Sequence, residues 1–121
     1  MASISELQKE ARKFIDDRDW RKFQTAKELA ANISVEANEL LELFLWKNEK
    51  DIDRDILGGN DKELLRKIKN ETADVFLGCL ALADQANFDL EEAFLSKFEE
   101  LKKRYDPKKV KGDPSKIPSN D

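Results

Sequence analysis

Apolar side chains recur every three or four residues along most of the chain, which is the period of amphipathic helices. No stretch alternates apolar and polar residues in the way that a half-buried strand does. The segments that carry the helical pattern follow polar residues that can cap a helix, such as Ser3, Thr25 and Asp61. We therefore predict an all-α fold, a four-helix antiparallel bundle with helices over about residues 4–16, 26–47, 62–85 and 90–104.

The segments between and after these helices carry signals for turns. Gly58-Gly59-Asn60 is a strong stop signal before the third helix. All three prolines lie beyond Tyr105, in a polar stretch for which we predict no helix. We therefore expect a single domain over residues 1–105 and a flexible C-terminal tail over residues 106–121.

Two of the predicted helices share an unusual arrangement of acids. Glu36 and Glu39 lie three residues apart in the second helix, and Glu71 and Asp74 repeat this spacing in the third. At roughly 100° per residue, Glu36 and Glu71 each fall within about 60° of the apolar stripe of their helix. Carboxylates are rarely buried unless they are paired or bound to a metal. The four acids therefore predict a cation site between the two helices.

The composition narrows the identity of this cation. The sequence contains no histidine, which excludes imidazole ligands and the histidine-dependent catalytic triads and dyads. The absence of histidine also argues against a ferritin-like di-iron site, in which two Glu-x-x-His motifs are expected. Carboxylate oxygens remain, and these suit hard ions such as Mg²⁺, with Mn²⁺ as a substitute. Each acid by itself could equally be an ordinary surface acid, and the prediction depends on the matched pairs.

Charge and length exclude several classes of partner. The chain has 121 residues, enough for one domain with a modest core, so oligomerisation is a plausible source of further burial. The formal net charge of −4 argues against a nucleic acid polymer as the partner. No apolar run is long enough for a membrane span, and the N-terminus lacks the apolar core of a signal peptide. With a single cysteine, Cys79, these features favour a cytoplasmic location.

A few other side chains could contact a ligand. Trp20 and Trp46 are the only tryptophans, and they could either pack in the core or stack on a planar base. Lys97 lies on the predicted inward face of the fourth helix and could contact phosphate. The basic run that ends at Arg104 and Tyr105 could do the same, or could simply be a solvated helix end.

The arrangement of these residues resembles the all-α nucleoside triphosphate pyrophosphatases of the MazG-like superfamily, and is most similar to their dCTP pyrophosphatase branch. The resemblance covers about residues 7–105. It is carried by Arg18-Asp19-Trp20-x-x-Phe23, Glu36-x-x-Glu39-Leu40-x-Glu42-Leu43-Phe44-x-Trp46, Glu71-x-x-Asp74-Val75, Leu95-Ser96-Lys97 and Arg104-Tyr105. Either acidic motif alone would be weak support, but the combination is specific.

The resemblance implies hydrolysis of a nucleoside triphosphate to the monophosphate and pyrophosphate, a housekeeping reaction on the nucleotide pool. It implies that Mg²⁺ is held by four acids, Glu36, Glu39, Glu71 and Asp74. Either Glu39 or Glu36 would be the catalytic base, and Glu39 is preferred because it lies nearer the edge of the apolar stripe. The implied substrate-binding residues are Trp20, Phe23, Gln24, Trp46, Lys97, Arg104 and Tyr105. Members of the family assemble as homodimers or homotetramers.

The sequence also departs from the family pattern. Gln24 stands where closer relatives tend to have histidine, and Gly78 replaces a frequent tyrosine. The substrate could therefore be another or a modified deoxynucleotide, such as dUTP or dATP, instead of dCTP. A non-catalytic helical interaction module is the other alternative, in which the acids are structural and the tryptophans bind a partner.

Overall fold

The computed structural model describes residues 1–117, which form α-helices and helical turns without a strand. The prediction of an all-α fold is confirmed. The helices are α1 (Ile4–Asp17), α2 (Ala26–Glu42), α3 (Glu49–Ile52), α4 (Lys62–Gln85), α5 (Leu90–Arg104) and α6 (Pro107–Val110). Two 3₁₀ turns lie at Arg21–Phe23 and Pro114–Lys116, and a π-helical turn lies at Asp53–Leu57. The four long helices correspond to the four predicted segments, while the short α3 and α6 raise the number of helices in this part of the chain to six.

Side-chain caps explain where the long helices begin. The side chains of Ser3, Thr25 and Asp61 accept hydrogen bonds from backbone N–H groups three residues ahead, as the sequence predicts. Asp89 caps α5 in a similar way, accepting from the N–H of Glu91. These contacts are local, so they could be predicted from the sequence alone.

Helix α2 ends earlier than predicted, at Glu42 instead of about residue 47. The backbone then forms turns in which Leu43 and Phe44 donate to carbonyls three residues back. Trp46 follows with a φ of +68°, in the left-handed region that a non-glycine residue rarely adopts. The chain therefore leaves the helix axis just before the second tryptophan.

The two acid-bearing helices, α2 and α4, pack antiparallel. Leu29 of α2 packs with Ala81 of α4 and with Ile15 of α1 in the small buried core. One turn further along α2, Ile33 lies against Gly78, where a Cβ atom would be only 2.9 Å from Ile33 Cγ1. The absence of a side chain at Gly78 therefore allows the close approach of the two helices.

Helix α1 is held against the end of α4 and the start of α5 by polar contacts. Gln8 is buried, donates to the carbonyl of Phe88 at 2.8 Å and accepts from the N–H of Leu90 at 2.9 Å. The N–H of Ile4 donates to Glu91 at 3.0 Å. Thus α1 covers the connection between α4 and α5.

The predicted inward face of α5 is wrong for a single chain. Phe94 and Phe98 stack on each other with ring centroids 5.5 Å apart, but both rings remain exposed. Lys97, predicted on the same inward face, is exposed and forms an ion pair with Glu100 at 3.6 Å. The helix itself is present as predicted, but within one chain the α5 side chains Phe94, Lys97 and Phe98 are exposed to solvent.

The prediction that the tail lacks a helix is also wrong. Asp106 caps α6 by accepting from the N–H of Lys108, and Pro107 occupies the first turn, where its missing N–H costs nothing. The last residues of the predicted tail, 118–121, lie outside the described residues. No helix within residues 1–117 is long and apolar enough to cross a membrane.

Candidate metal centre

Three of the four predicted acids come together between α2 and α4. One carboxylate oxygen each from Glu36, Glu71 and Asp74 lies within 4.8 Å of the others. Glu36 and Glu71 are half-buried, whereas Asp74 is exposed. Glu39 lies outside this trio but close enough to Glu36 to affect its protonation. The antiparallel pairing of the helices thus brings together three of the four acids that were predicted to meet.

This convergence makes ionisation unfavourable. Burial, followed by the neighbouring Glu39, Glu71 and Asp74, raises the pKa of Glu36 from 4.5 to about 7. Burial also raises the pKa of Glu71, with contributions from Glu39 and Asp74. Without a cation, full ionisation of the clustered carboxylates is therefore unfavourable in the folded chain.

Two carboxylate oxygens of the acidic cluster lack a hydrogen-bond partner and could bind a cation. Among the residues that the structure describes, Oε2 of Glu36 and Oε2 of Glu71 are buried without a hydrogen-bond partner. Buried polar atoms normally have a partner, so each of these needs an explanation such as an ion or water. A cluster of carboxylate oxygens is the donor set preferred by Mg²⁺ and Mn²⁺.

A cavity of about 210 Å³ opens beside the acids. Its wall combines apolar side chains from three helices with a few polar groups, and it is lined by Phe14, Ile15, Gln24, Leu29, Asn32, Glu36, Asp74, Leu77, Gly78 and Ala81. It is smaller than the roughly 300–1,000 Å³ of a site for a drug-sized ligand. The cavity therefore suits one part of a nucleotide, such as the base, next to the acids.

The aromatic residues before α2 lie near this cavity. Trp20 packs edge-to-face on Phe14, with ring centroids 5.9 Å apart, and Phe14 lines the cavity. Phe23 is exposed, and Gln24 lines the cavity with its Oε1 atom buried and without a hydrogen-bond partner within the described residues. The structure thus brings Gln24 to the cavity, whereas Trp20 contacts it only through Phe14, and Phe23 is not among its lining residues.

The other predicted substrate-binding residues lie elsewhere in the single chain. Trp46 is 101% exposed and is not among the residues that line the cavity. Arg104 pairs with Glu100, and with Tyr105 it lines a separate cavity against the C-terminal residues Lys109 and Lys116. Within one chain, the site beside the acids therefore does not include four of the predicted residues, namely Trp46, Lys97, Arg104 and Tyr105.

Two residues that line the cavity, and one buried acid outside it, were not predicted from the sequence. Asn32 and Phe14 line the cavity, but neither had a pattern that distinguished it from ordinary helical residues. Asp84 was also missed: it is only 7% exposed and pairs with both Arg12 and Arg21. A signal existed for Asp84, because an acid that directly follows the apolar run Leu80 to Ala83 on the same helix predicts a buried ion pair.

A family model described as the MazG-like family matches residues 31–116, which is most of the chain and includes the acids. This chain belongs to the MazG-like family. The family resemblance predicted from the acidic motifs is confirmed.

Individual relatives of this MazG-like chain carry related names. It is 27% identical to dCTP pyrophosphatase 1 of Mus musculus and 28% identical to that of Homo sapiens, in each case over 103 residues or 85% of the chain. The chain spans 59% of the length of these curated relatives. A crystal structure of a pyrophosphatase from Archaeoglobus fulgidus superposes with a TM-score of 0.72 at 34% identity, covering 88% of this chain and 94% of that one.

Proposed function

We propose that the chain is a Mg²⁺-dependent nucleoside triphosphate pyrophosphohydrolase, which cleaves its substrate to the monophosphate and pyrophosphate. The observation that carries the proposal is the convergence of Glu36, Glu71 and Asp74 within 4.8 Å, beside a cavity that suits a base. Membership of the MazG-like family and the names of the relatives support the same reaction.

Glu36, Glu71 and Asp74 would hold Mg²⁺, and Glu39 is either the fourth ligand or, where it does not bind the ion, the base. When bound, the ion supplies neutralisation of the triphosphate charge and Lewis-acid polarisation of a phosphoryl oxygen. Mn²⁺ has the same preference for oxygen ligands and would substitute. The buried and unpartnered oxygens of Glu36 and Glu71 are the structural support for this assignment.

The residues of the chain would position and activate water. A water oxygen attacks phosphorus, the bond between the α- and β-phosphates breaks, and pyrophosphate leaves. Glu39 is the candidate that accepts the proton of the attacking water, because its carboxylate lies beside Glu36 but outside the cluster of three acids. Glu36 is the alternative base.

The substrate is a dCTP-like deoxynucleotide. The relatives named dCTP pyrophosphatase 1 support this choice, and the cavity offers the side-chain amides of Gln24 and Asn32 for hydrogen bonds to a base. Phe14 and Leu77 supply apolar contact area. Other deoxynucleotides, including dUTP and dATP, are the competing substrates.

The active protein is a homodimer or homotetramer. Large apolar side chains of α1 and α4, namely Leu7, Phe14, Phe76 and Leu77, line an open apolar cavity of about 450 Å³ and are substantially exposed. Contiguous exposed apolar surface of this kind is typical of a protein interface. Light scattering would measure the mass, and Phe76→Lys, which places a charge on this surface, should give monomers. A wild-type protein that is monomeric at micromolar concentration would contradict the assembly.

A substrate panel tests the reaction and the preference together. Purified protein is incubated with Mg²⁺ and each deoxynucleoside triphosphate, and both pyrophosphate and monophosphate are quantified. The expected result is equimolar formation of the two products with the highest kcat/KM for dCTP. Equal values for all substrates would contradict the dCTP preference alone. If no pyrophosphate is released from any of them, the enzymatic proposal is wrong. The alternative of a non-catalytic helical interaction module would then be favoured.

A further inference from the structure

The connection between α1 and α2 forms part of the cavity wall, and a single arginine anchors it. Nε of Arg21 donates to Asp16 at 2.8 Å, at the end of α1. The two terminal nitrogens donate to Gln85 at 3.0 Å and to Asp84 at 2.6 Å, both on α4. Every nitrogen of the guanidinium group is therefore engaged, and the group joins the connection to two helices at once.

A backbone hydrogen bond connects Arg21 to Gln24, which lines the cavity. The N–H of Gln24 donates to the carbonyl of Arg21 at 3.2 Å, which closes the 3₁₀ turn. The side chain of Gln24 lines the cavity and keeps its Oε1 atom buried without a partner. Because a buried acceptor without a partner is unfavourable, something else must hold Gln24 in this position. The ion pairs of Arg21 attach the turn that ends at Gln24 to α1 and α4.

Two arginines bind the carboxylate of Asp84, so the effects of replacing each of them can be compared. Arg12 reaches it from α1 and Arg21 reaches it from the connection. Both guanidinium groups are partly exposed, but only Arg21 lies in the turn that carries Gln24. Loss of either arginine removes an ion pair from a buried acid, whereas only loss of Arg21 should release the cavity wall.

We propose that Arg21 is a positioning residue, which Asp84, Gln85 and Asp16 hold in place so that Gln24 is fixed against the base of the bound nucleotide. This inference rests on the proposed nucleotide function of the cavity. Arg21 itself does not line the cavity, and it acts through the 3₁₀ turn. Lysine is a poor replacement, because an ammonium group cannot span three acceptors in the fixed geometry of a guanidinium group.

Steady-state kinetics of Arg21→Gln and Arg12→Gln test this role. Arg21→Gln should raise KM for the preferred nucleotide by about tenfold or more, because the base is misplaced. Its kcat should stay within about twofold, since an interaction far from the reacting bond contributes mainly to binding. The dependence on Mg²⁺ should not change. Arg12→Gln should lower the thermal midpoint to a similar degree but leave KM within about twofold.

A double-mutant cycle tests whether Arg21 acts through Gln24. If it does, Arg21→Gln should add little to the KM of a Gln24→Ala variant. Arg21→Lys should have a KM between those of the wild type and Arg21→Gln. Equal KM changes for Arg12→Gln and Arg21→Gln would overturn the positioning role, as would KM effects of Arg21→Gln and Gln24→Ala that multiply independently.

A spectroscopic measurement separates this inference from the proposed function. In a Trp46→Phe background, Trp20 is the only tryptophan and lies directly before Arg21. Adding Arg21→Gln should increase acrylamide quenching of Trp20 fluorescence, whereas Arg12→Gln should not. Circular dichroism would establish that both proteins keep their helices. If the wild type releases no pyrophosphate, the enzymatic proposal fails and quenching still decides whether Arg21 holds the turn; unchanged quenching in Arg21→Gln overturns the inference.

Discussion

Glu36 of α2 and Glu71 of α4 meet at the helix interface, and each has one carboxylate oxygen that is buried without a hydrogen-bond partner in the described chain. When both carboxylates are ionised, their repulsion within 4.8 Å lowers the free energy of unfolding. Burial of each charge lowers it further. A cation would remove both penalties at once. The interface is therefore expected to be less stable when empty and to gain stability when it binds a metal ion.

The first prediction concerns removal of one acid. Glu71→Gln should lower kcat/KM for nucleotide hydrolysis by about 100-fold or more, because it removes a proposed ligand of Mg²⁺. The same change should raise the thermal unfolding midpoint of the metal-free protein, since it removes a repelling charge. Pyrophosphate release and calorimetry in the presence of a chelator would measure the two effects.

Glu42→Gln is the matched control for this experiment. Glu42 lies three residues after Glu39 on the same helix but is exposed. Its replacement should change neither hydrolysis nor stability by more than a small amount. A Glu71→Gln variant with wild-type turnover would show that Glu71 does not serve the reaction.

The second prediction concerns the pH dependence of stability. The pKa of Glu36 is raised from 4.5 to about 7 in the folded chain, so the unfolded chain loses this proton first as the pH rises. The free energy of unfolding of the metal-free protein should therefore fall between pH 4.5 and about 7 on account of Glu36. Urea unfolding at several pH values would measure the slope.

Two comparisons isolate the contribution of Glu36 to this slope. Glu36→Gln should flatten the slope, and saturating Mg²⁺ should reduce it in the wild type, because the ion favours the ionised carboxylates. The ion pairs of Asp84 with Arg21 and Arg12 lower the pKa of Asp84 below 3.8, so its contribution to stability is lost only at more acidic pH. Identical slopes for Glu36→Gln and the wild type would contradict the assignment.

The third prediction concerns the close contact of α2 with α4. A Cβ atom at Gly78 would lie 2.9 Å from Ile33 Cγ1. Gly78→Ala should therefore lower the free energy of unfolding by about 1–2 kcal/mol, because overpacking outweighs the better helix propensity of alanine. Ile33→Ala removes the contacting atom, so the double variant should be less destabilised than the sum of the two single changes. Denaturant unfolding of the four proteins would measure this coupling.

The fourth prediction separates the two roles of Trp46. Its side chain is 101% exposed and its φ is +68°, so the tryptophan contributes strain and no packing within one chain. Trp46→Gly should keep or raise the free energy of unfolding, by up to about 1 kcal/mol. If Trp46 contacts the base, KM should rise in the same variant. A clear loss of stability would show instead that Trp46 is a packing residue of the assembled protein.

The sequence by itself determined the elements that depend on neighbouring residues. A cap such as Ser3, Thr25 or Asp61 binds a backbone N–H group three residues ahead, so the start of each helix could be predicted locally. The motifs around the acidic pairs likewise predicted the family, and the acids together with the absence of histidine are the sequence basis for proposing a hard cation. Placement of Glu36 and Glu71 on the apolar stripe followed from the helical period.

Only the tertiary structure decided which of these residues meet. Asp84 lies 63 residues from Arg21 and 72 from Arg12 in the chain, and no local pattern specifies those contacts. The same holds for the packing of Ile33 against Gly78, where a Cβ atom would lie 2.9 Å from Ile33 Cγ1, and for the meeting of Glu36 with Glu71 and Asp74. Packing decides these distances because it depends on the shapes of side chains from different helices, and the helical period of one segment contains no information about its neighbour.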